Sequence, residues 1–218
     1  MMGARYDDGG AMSDDELRDQ LLFLFIAGHE TSAISLAWAL YELHRHPPSL
    51  DRVLAELDAL GPESGLDAFA ALPYLDAVCY EVLRLHPLLG YVPRLLKEPF
   101  ELGGRTIPGG VQVAVGIQLV HAREDLYPDA GRFRPERFLE RKFTPFEFLP
   151  FGCGARRCLG ATFALYEMKV VLATILRGYR LTLLDTGPVR HVARSITLGS
   201  ETGIRMRVEV RRAPRSFS

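Results

Sequence analysis

Long apolar runs are scarce in this sequence. The longest unbroken one, Leu21 to Gly28, falls far short of the roughly 20 residues that a membrane-spanning helix needs, and the N-terminus has no signal-peptide layout. Cysteine is also sparse. The three present, Cys79, Cys153 and Cys158, are an odd number, which argues against a disulfide framework and sets a reducing, cytoplasmic compartment as the expectation. Internal repeats and low-complexity tracts are absent, so solenoid and fibrous architectures drop out. An excess of charge of one sign is lacking too: 26 Lys and Arg face 27 Asp and Glu. With 48% hydrophobic and 24% charged residues over 218 positions, the chain is too apolar for intrinsic disorder and long enough for one substantial core.

The balanced total hides an asymmetry. Residues 1–140 carry 12 basic against 22 acidic side chains, and residues 141–218 carry 14 against 5. A basic C-terminal third suits an anionic cofactor, an acidic protein partner, or two halves of one surface that neutralise each other. No aromatic-basic interleaving accompanies it, so nucleic acid is not expected as a partner.

Residues 1–12 read as a frayed, disordered start. Ser13-Asp14-Asp15-Glu16 is a capping box, and the helix it opens should run to His46, where Pro47-Pro48 stop it. Its segment Leu21–Ala27 is apolar all round and should cross the interior of something larger. A second helix is expected over 49–60 and a third from Pro73 to His86, with Pro73 as first helical residue. Gly103-Gly104 between Phe100–Leu102 and Arg105–Ile107 signals a hairpin, followed by alternating Val111, Val113 and Val115. Residues 121–157 form a long irregular stretch of a length that compact domains rarely keep without a functional reason. Helical spacing resumes over Leu159–Arg177, and Ile196–Leu198 with Ile204–Val210 suggests a terminal hairpin. The fold class is mainly α with small β sheets.

Three features could carry chemistry. In Phe151-Gly152-Cys153-Gly154-Ala155-Arg156-Arg157-Cys158-Leu159-Gly160, a cysteine stands where a Gly-rich coil meets a helix start. Helix dipole, free N–H groups and neighbouring arginines favour thiolate there. A buried structural cysteine is the plainer alternative. Zinc held by Cys153 and Cys158 lacks a second ligand pair, and a cysteine protease would need His and Asn partners that spacing cannot supply. A soft metal ligand on an open face remains. The second feature is Glu81 and Arg84, three apart on one helix face among Leu75, Val78, Val82 and Leu85; Arg137 could complete a buried cluster from the coil. The third is Ala27-Gly28-His29-Glu30-Thr31 inside the apolar helix. Gly28 marks either a helix–helix contact or a ligand face, and Thr31 can hydrogen-bond back to the Ala27 carbonyl.

In this order, with Pro135-Glu136-Arg137-Phe138 between the second and the cysteine motif, these residues resemble the cytochrome P450 family, the haem-thiolate monooxygenases. The resemblance covers residues 13–210 and implies the C-terminal haem-binding portion of that fold. It implies Cys158 as the axial thiolate and metal ligand of haem b (iron protoporphyrin IX). Phe151, Gly154 and Gly160 would form the haem-facing wall of the cysteine loop, and Arg94 and Arg156 would partner the propionates. Glu30 and Thr31 would relay protons to dioxygen, while Glu81, Arg84 and Arg137 would be a structural triad. Implied partners are an apolar small-molecule substrate, dioxygen, and a ferredoxin or flavoprotein reductase as electron donor.

In that family the helix carrying Ala27-Gly28 lies near the middle of a considerably longer chain, so the N-terminal half is expected to be absent here. Its loss would leave hydrophobic surface exposed along the first helix. The expected function is a haem-dependent monooxygenase in truncated form; the alternative is a non-catalytic haem-binding or assembly fragment of such an enzyme.

Overall fold

The computed structural model describes residues 5–61, 63–184, 187–194 and 196–211. Residues 1–4 of the expected frayed start lie outside that set. Residues 5–11 make a small closed loop in which Arg5 bridges Ala11, and Tyr6 donates to Glu16 at 3.0 Å.

Helix α1 spans Asp14–Arg45, and both arms of the Ser13/Glu16 capping box are made. Pro47 and Pro48 end it and also open α2 (Pro47–Ala59), two residues before the expected start. A short α3 (Leu66–Ala70) follows where no helix was foreseen, and then α4 (Pro73–Leu85) with Pro73 in the first turn. The second half of α1 packs with α2, α4 and α7 (Ala161–Gly178) around Trp38, Leu43, Leu57, Leu75, Val82 and Leu172. Side-chain ties reinforce the packing: Ser32 donates to Glu167 at 2.6 Å, and Lys169 pairs with Asp76 at 2.7 Å.

The first half of α1 differs. Leu21–Ile26 are exposed on every face, with Phe25 at 69% and Ile26 at 70%, so the apolar segment expected to cross an interior is uncovered by any described element. The unbroken apolar run also understates this helix. Small uncharged residues such as Gly28, Thr31 and Ser32 follow the run without adding charge, so α1 holds an 18-residue window of mean hydropathy 1.4 and is, by length and composition, able to cross a membrane. The core helix of a soluble fold meets the same criterion.

Among the described residues, four two-stranded antiparallel sheets decorate the helices. Strand β2 (Phe100–Leu102) and β3 (Arg105–Ile107) form the expected hairpin, with Gly103 and Gly104 at φ +57° and +75°, the left-handed pair that a tight turn of this kind requires. Strand β1 (Val92–Leu95) pairs around that hairpin with β4 (Gln112–Val115). The expected terminal hairpin does not form. Strand β7 (Thr197–Ser200) pairs with β6 (His191–Arg194), whereas β8 (Met206–Arg211) pairs with β5 (Tyr179–Leu183), directly after α7. Strand alternation marks the strands but not their partners, and each found an earlier strand.

The β6–β7 hairpin is fastened to α1 and α4 through a histidine chain. His86 donates from Nε2 to Glu42 at 2.8 Å, and its Nδ1 lies 2.8 Å from His191 Nε2. Trp38 stacks on His86 with ring centroids 4.0 Å apart. The long coil of 121–157 is mostly irregular but includes the end of α5 (Ile117–His121), α6 (Arg137–Glu140) and a 3-10 turn over Gly154–Arg156.

Candidate functional site

Three groups of side chains position the site. The first is a buried ion cluster. Glu81 and Arg84 share one face of α4, and Arg84 donates Nε and Nη2 to the two Glu81 oxygens at 2.7 and 2.8 Å. Arg137, at the start of α6 and not in free coil, donates Nε to Glu81 Oε1 at 3.1 Å, and the Arg134 backbone N–H donates to the same oxygen at 2.9 Å. All three charged side chains are at most 3% exposed. The remaining guanidinium donors reach carbonyls of the coil, with Arg84 to His121 at 2.8 Å and Arg137 to Pro128 at 3.0 Å. One carboxylate thus ties two arginines, and those arginines hold the irregular chain against α4. The cluster is satisfied inward and offers no free donor to a substrate.

Sequence reasoning missed His121. Its Nε2 accepts the Leu149 N–H at 2.9 Å while its Nδ1 faces the Arg84 carbonyl at 3.2 Å, so the ring is neutral with the proton on Nδ1. Burial pushes its pKa down to about 4, the Arg84 charge adding to the effect and the hydrogen bond to the Arg84 carbonyl opposing it. It couples the ion cluster to the chain entering the cysteine loop. A single histidine in an aperiodic stretch carries no local signal of such a role.

The second group is that loop. Gly152 and Gly154 both take φ +68°, a left-handed conformation that costs glycine nothing and other residues strain. The bends bring the Cys158 N–H back to the Phe151 carbonyl at 2.9 Å and set Cys158, exposed, just ahead of α7, whose N-cap is Gly160. A Cβ added at Gly160 would sit 3.9 Å from Cys158 Sγ. Apolar surface surrounds the thiol in sequence: Leu159 is 96% exposed and Phe163 68%. Arg156 is exposed without a hydrogen-bonding partner among the described residues, and Arg94, on β1, donates only to the Pro93 carbonyl. No group of three or more His, Cys, Asp or Glu suited to a metal occurs among the described residues.

The third group lies on α1. Thr31 Oγ donates to the Ala27 carbonyl at 2.7 Å, the bond anticipated from the sequence. A Cβ at Gly28 would meet nothing within 4 Å, so Gly28 opens a face and makes no helix–helix contact with the described chain. Glu30 accepts from Thr197 Oγ at 3.2 Å across 167 residues of chain, which no sequence pattern announces.

The description of the family whose model matches residues 1–203 is cytochrome P450. The chain belongs to the cytochrome P450 family. A protein of Mycobacterium tuberculosis provisionally named cytochrome P450 135B1 is 43% identical over 97% of this chain, and a second, provisionally named cytochrome P450 137, is 39% identical over 95%. The chain spans about 44% and 41% of their lengths. Among solved structures, a retinoic acid-bound cyanobacterial CYP120A1 superposes with a TM-score of 0.86 at 34% identity, covering 95% of this chain and 49% of that one. A cytochrome P450DA heme domain gives 0.85 at 30% identity, covering 97% and 48%. The fold is thus a partial P450 fold, helical with small sheets, as the motif order implied.

Proposed function

We propose that this chain is the haem-binding portion of a haem-thiolate monooxygenase acting on an apolar organic substrate. The observation that carries the reading is Cys158: an exposed thiol ahead of a helix N-terminus, in a loop bent by two left-handed glycines, with no group of three or more metal-ligating side chains among the described residues. Haem b, when bound, supplies the iron chemistry that activates dioxygen with electrons from a ferredoxin or flavoprotein reductase.

The residues present fit that group. Cys158 Sγ would hold the iron, and the helix end behind it favours the thiolate. Gly160 would keep bulk away from the sulfur, Gly154 gives the loop its left-handed bend, and Phe151 would wall the loop. Arg156, and Arg94 with the donors it does not give to the Pro93 carbonyl, would donate to carboxylates, which suits propionates. Glu81, Arg84 and Arg137 act through the backbone by holding the coil that leads into the loop.

On α1, the Thr31 hydroxyl is parked on the Ala27 carbonyl, and rotation about its side chain would present its proton on the open face beside Gly28. Glu30, oriented by Thr197, would restore that proton from solvent. The apolar surface of α1 gives the substrate wall its character, and the retinoic acid bound by the cyanobacterial relative is itself largely apolar. The basic C-terminal third, with 14 basic against 5 acidic side chains over residues 141–218, suits an acidic electron donor once Arg156 is set aside for the propionates.

The test is oxygen consumption by the haem-loaded chain with a ferredoxin and its reductase, with and without a separately supplied N-terminal half. Substrate-dependent uptake that slows in Thr31→Ala supports the reading. Haem bound without uptake in either arrangement would leave the second reading, a haem-binding or assembly fragment. The exposed Leu21–Ile26 surface is the specific observation that favours that alternative.

A further inference from the structure

Behind the cysteine loop, on the side formed by α4 and α6, lies a half-open cleft of about 490 Å³, within the range of cavities that take small organic ligands. Its apolar wall comes from Tyr80, Phe138, Phe148 and Phe151. Tyr80 packs on Phe138 and Phe148 with ring centroids 5.4 Å apart in each case, so the wall is a fixed aromatic cluster. Two cations, Lys142 and Arg157, line the same cleft; neither they nor the Tyr80 hydroxyl has a hydrogen-bonding partner among the described residues. The other charges there are already matched. Asp76 is paired with Lys169 at 2.7 Å, and Arg141 with Glu147 at 3.2 Å while lying over the Phe143 ring.

The cleft therefore presents aromatic faces and two uncompensated positive charges, with a phenolic donor on its wall. We propose that it binds a small amphipathic anion, a carboxylate on an apolar body. Lys142 and Arg157 would hold the carboxylate, with the Tyr80 hydroxyl as a further donor, and the rings would cover the apolar part. The inference does not depend on haem, because every group it uses belongs to the chain.

Calorimetric titration of the full chain with phenylbutyrate, phenylbutanol and inorganic phosphate tests it. Phenylbutyrate should saturate one site, with affinity at least about tenfold lower in the K142Q/R157Q double variant and about tenfold lower for phenylbutanol, since each comparison removes a charge-assisted contact. Phosphate should compete far more weakly, lacking the apolar body. As a second measurement, magnetisation transfer from the ligand ring should reach Tyr80 and Phe148. Equal binding of the alcohol, unchanged affinity in the double variant, or equal competition by phosphate would overturn the proposal. So would the absence of saturable binding, or binding lost in Phe25→Ser and retained in K142Q/R157Q, which would place the anion on α1.

Discussion

Replacing His121 by Gln should flatten the acid dependence of folding stability. The imidazole is almost fully buried and its pKa is pushed down to about 4 from the ordinary 6.5. Between those values the unfolded chain holds the extra proton and the folded chain does not. Stability contributed by neutral His121 is therefore complete above the unfolded value and is lost as pH falls from about 6.5 towards about 4. The full shift corresponds to about 3 kcal/mol, of which about 2 kcal/mol disappears between about pH 7 and about pH 5. A glutamine can keep an acceptor for the Leu149 N–H but cannot titrate. His191, also pushed down to about 4 by burial and the neighbouring His86 charge, and His44, lowered by burial, add slopes of the same sign. The difference between wild type and His121→Gln isolates one site. Urea denaturation at several pH values measures it, and parallel profiles for the two proteins would refute the assigned burial and tautomer.

Glu81→Gln should cost about 3–5 kcal/mol by leaving Arg84 and Arg137 buried without their shared charge, read as a lowered denaturation midpoint; a loss below about 1 kcal/mol would contradict the network. Gly104→Val forces a branched residue into φ +75° and should destabilise the β2–β3 hairpin by about 1–2 kcal/mol, whereas Gly103→Asn should be tolerated; thermal unfolding separates them. Leu22→Ser with Phe25→Ser should raise the monomer fraction in size-exclusion chromatography with little change in stability, because both side chains are exposed. Stability lost with no gain in monomer would mean that the first half of α1 is packed.

The parts of this fold legible in the sequence are those decided locally. Ser13 and Glu16 fix the start of α1 by reaching backbone groups within one turn, and Gly103-Gly104 fixes its hairpin by the conformations only glycine takes freely. Strand pairing was not legible at the C-terminus, where β7 and β8 each join a strand on their N-terminal side and the choice depends on how α7 delivers the chain. The Glu81–Arg84 pair follows from helical spacing, and its third member, 56 residues on, is expected because a buried carboxylate beside one arginine needs a further partner, which the coil could bring. His121 and Thr197 stayed invisible because their partners are brought near by packing alone. The exposed first half of α1 shows the same limit in reverse: an all-apolar helix states that it wants cover without naming what supplies it.

In the proposed reading, Cys158 is the thiolate that holds haem iron. The direct measurement is the absorption spectrum of the haem-supplied chain after reduction and exposure to carbon monoxide, for wild type and Cys158→Ser. A strongly red-shifted Soret band is expected in wild type and should be lost in the variant. An unshifted band in folded, haem-loaded wild type, or identical spectra for the two proteins, would contradict it.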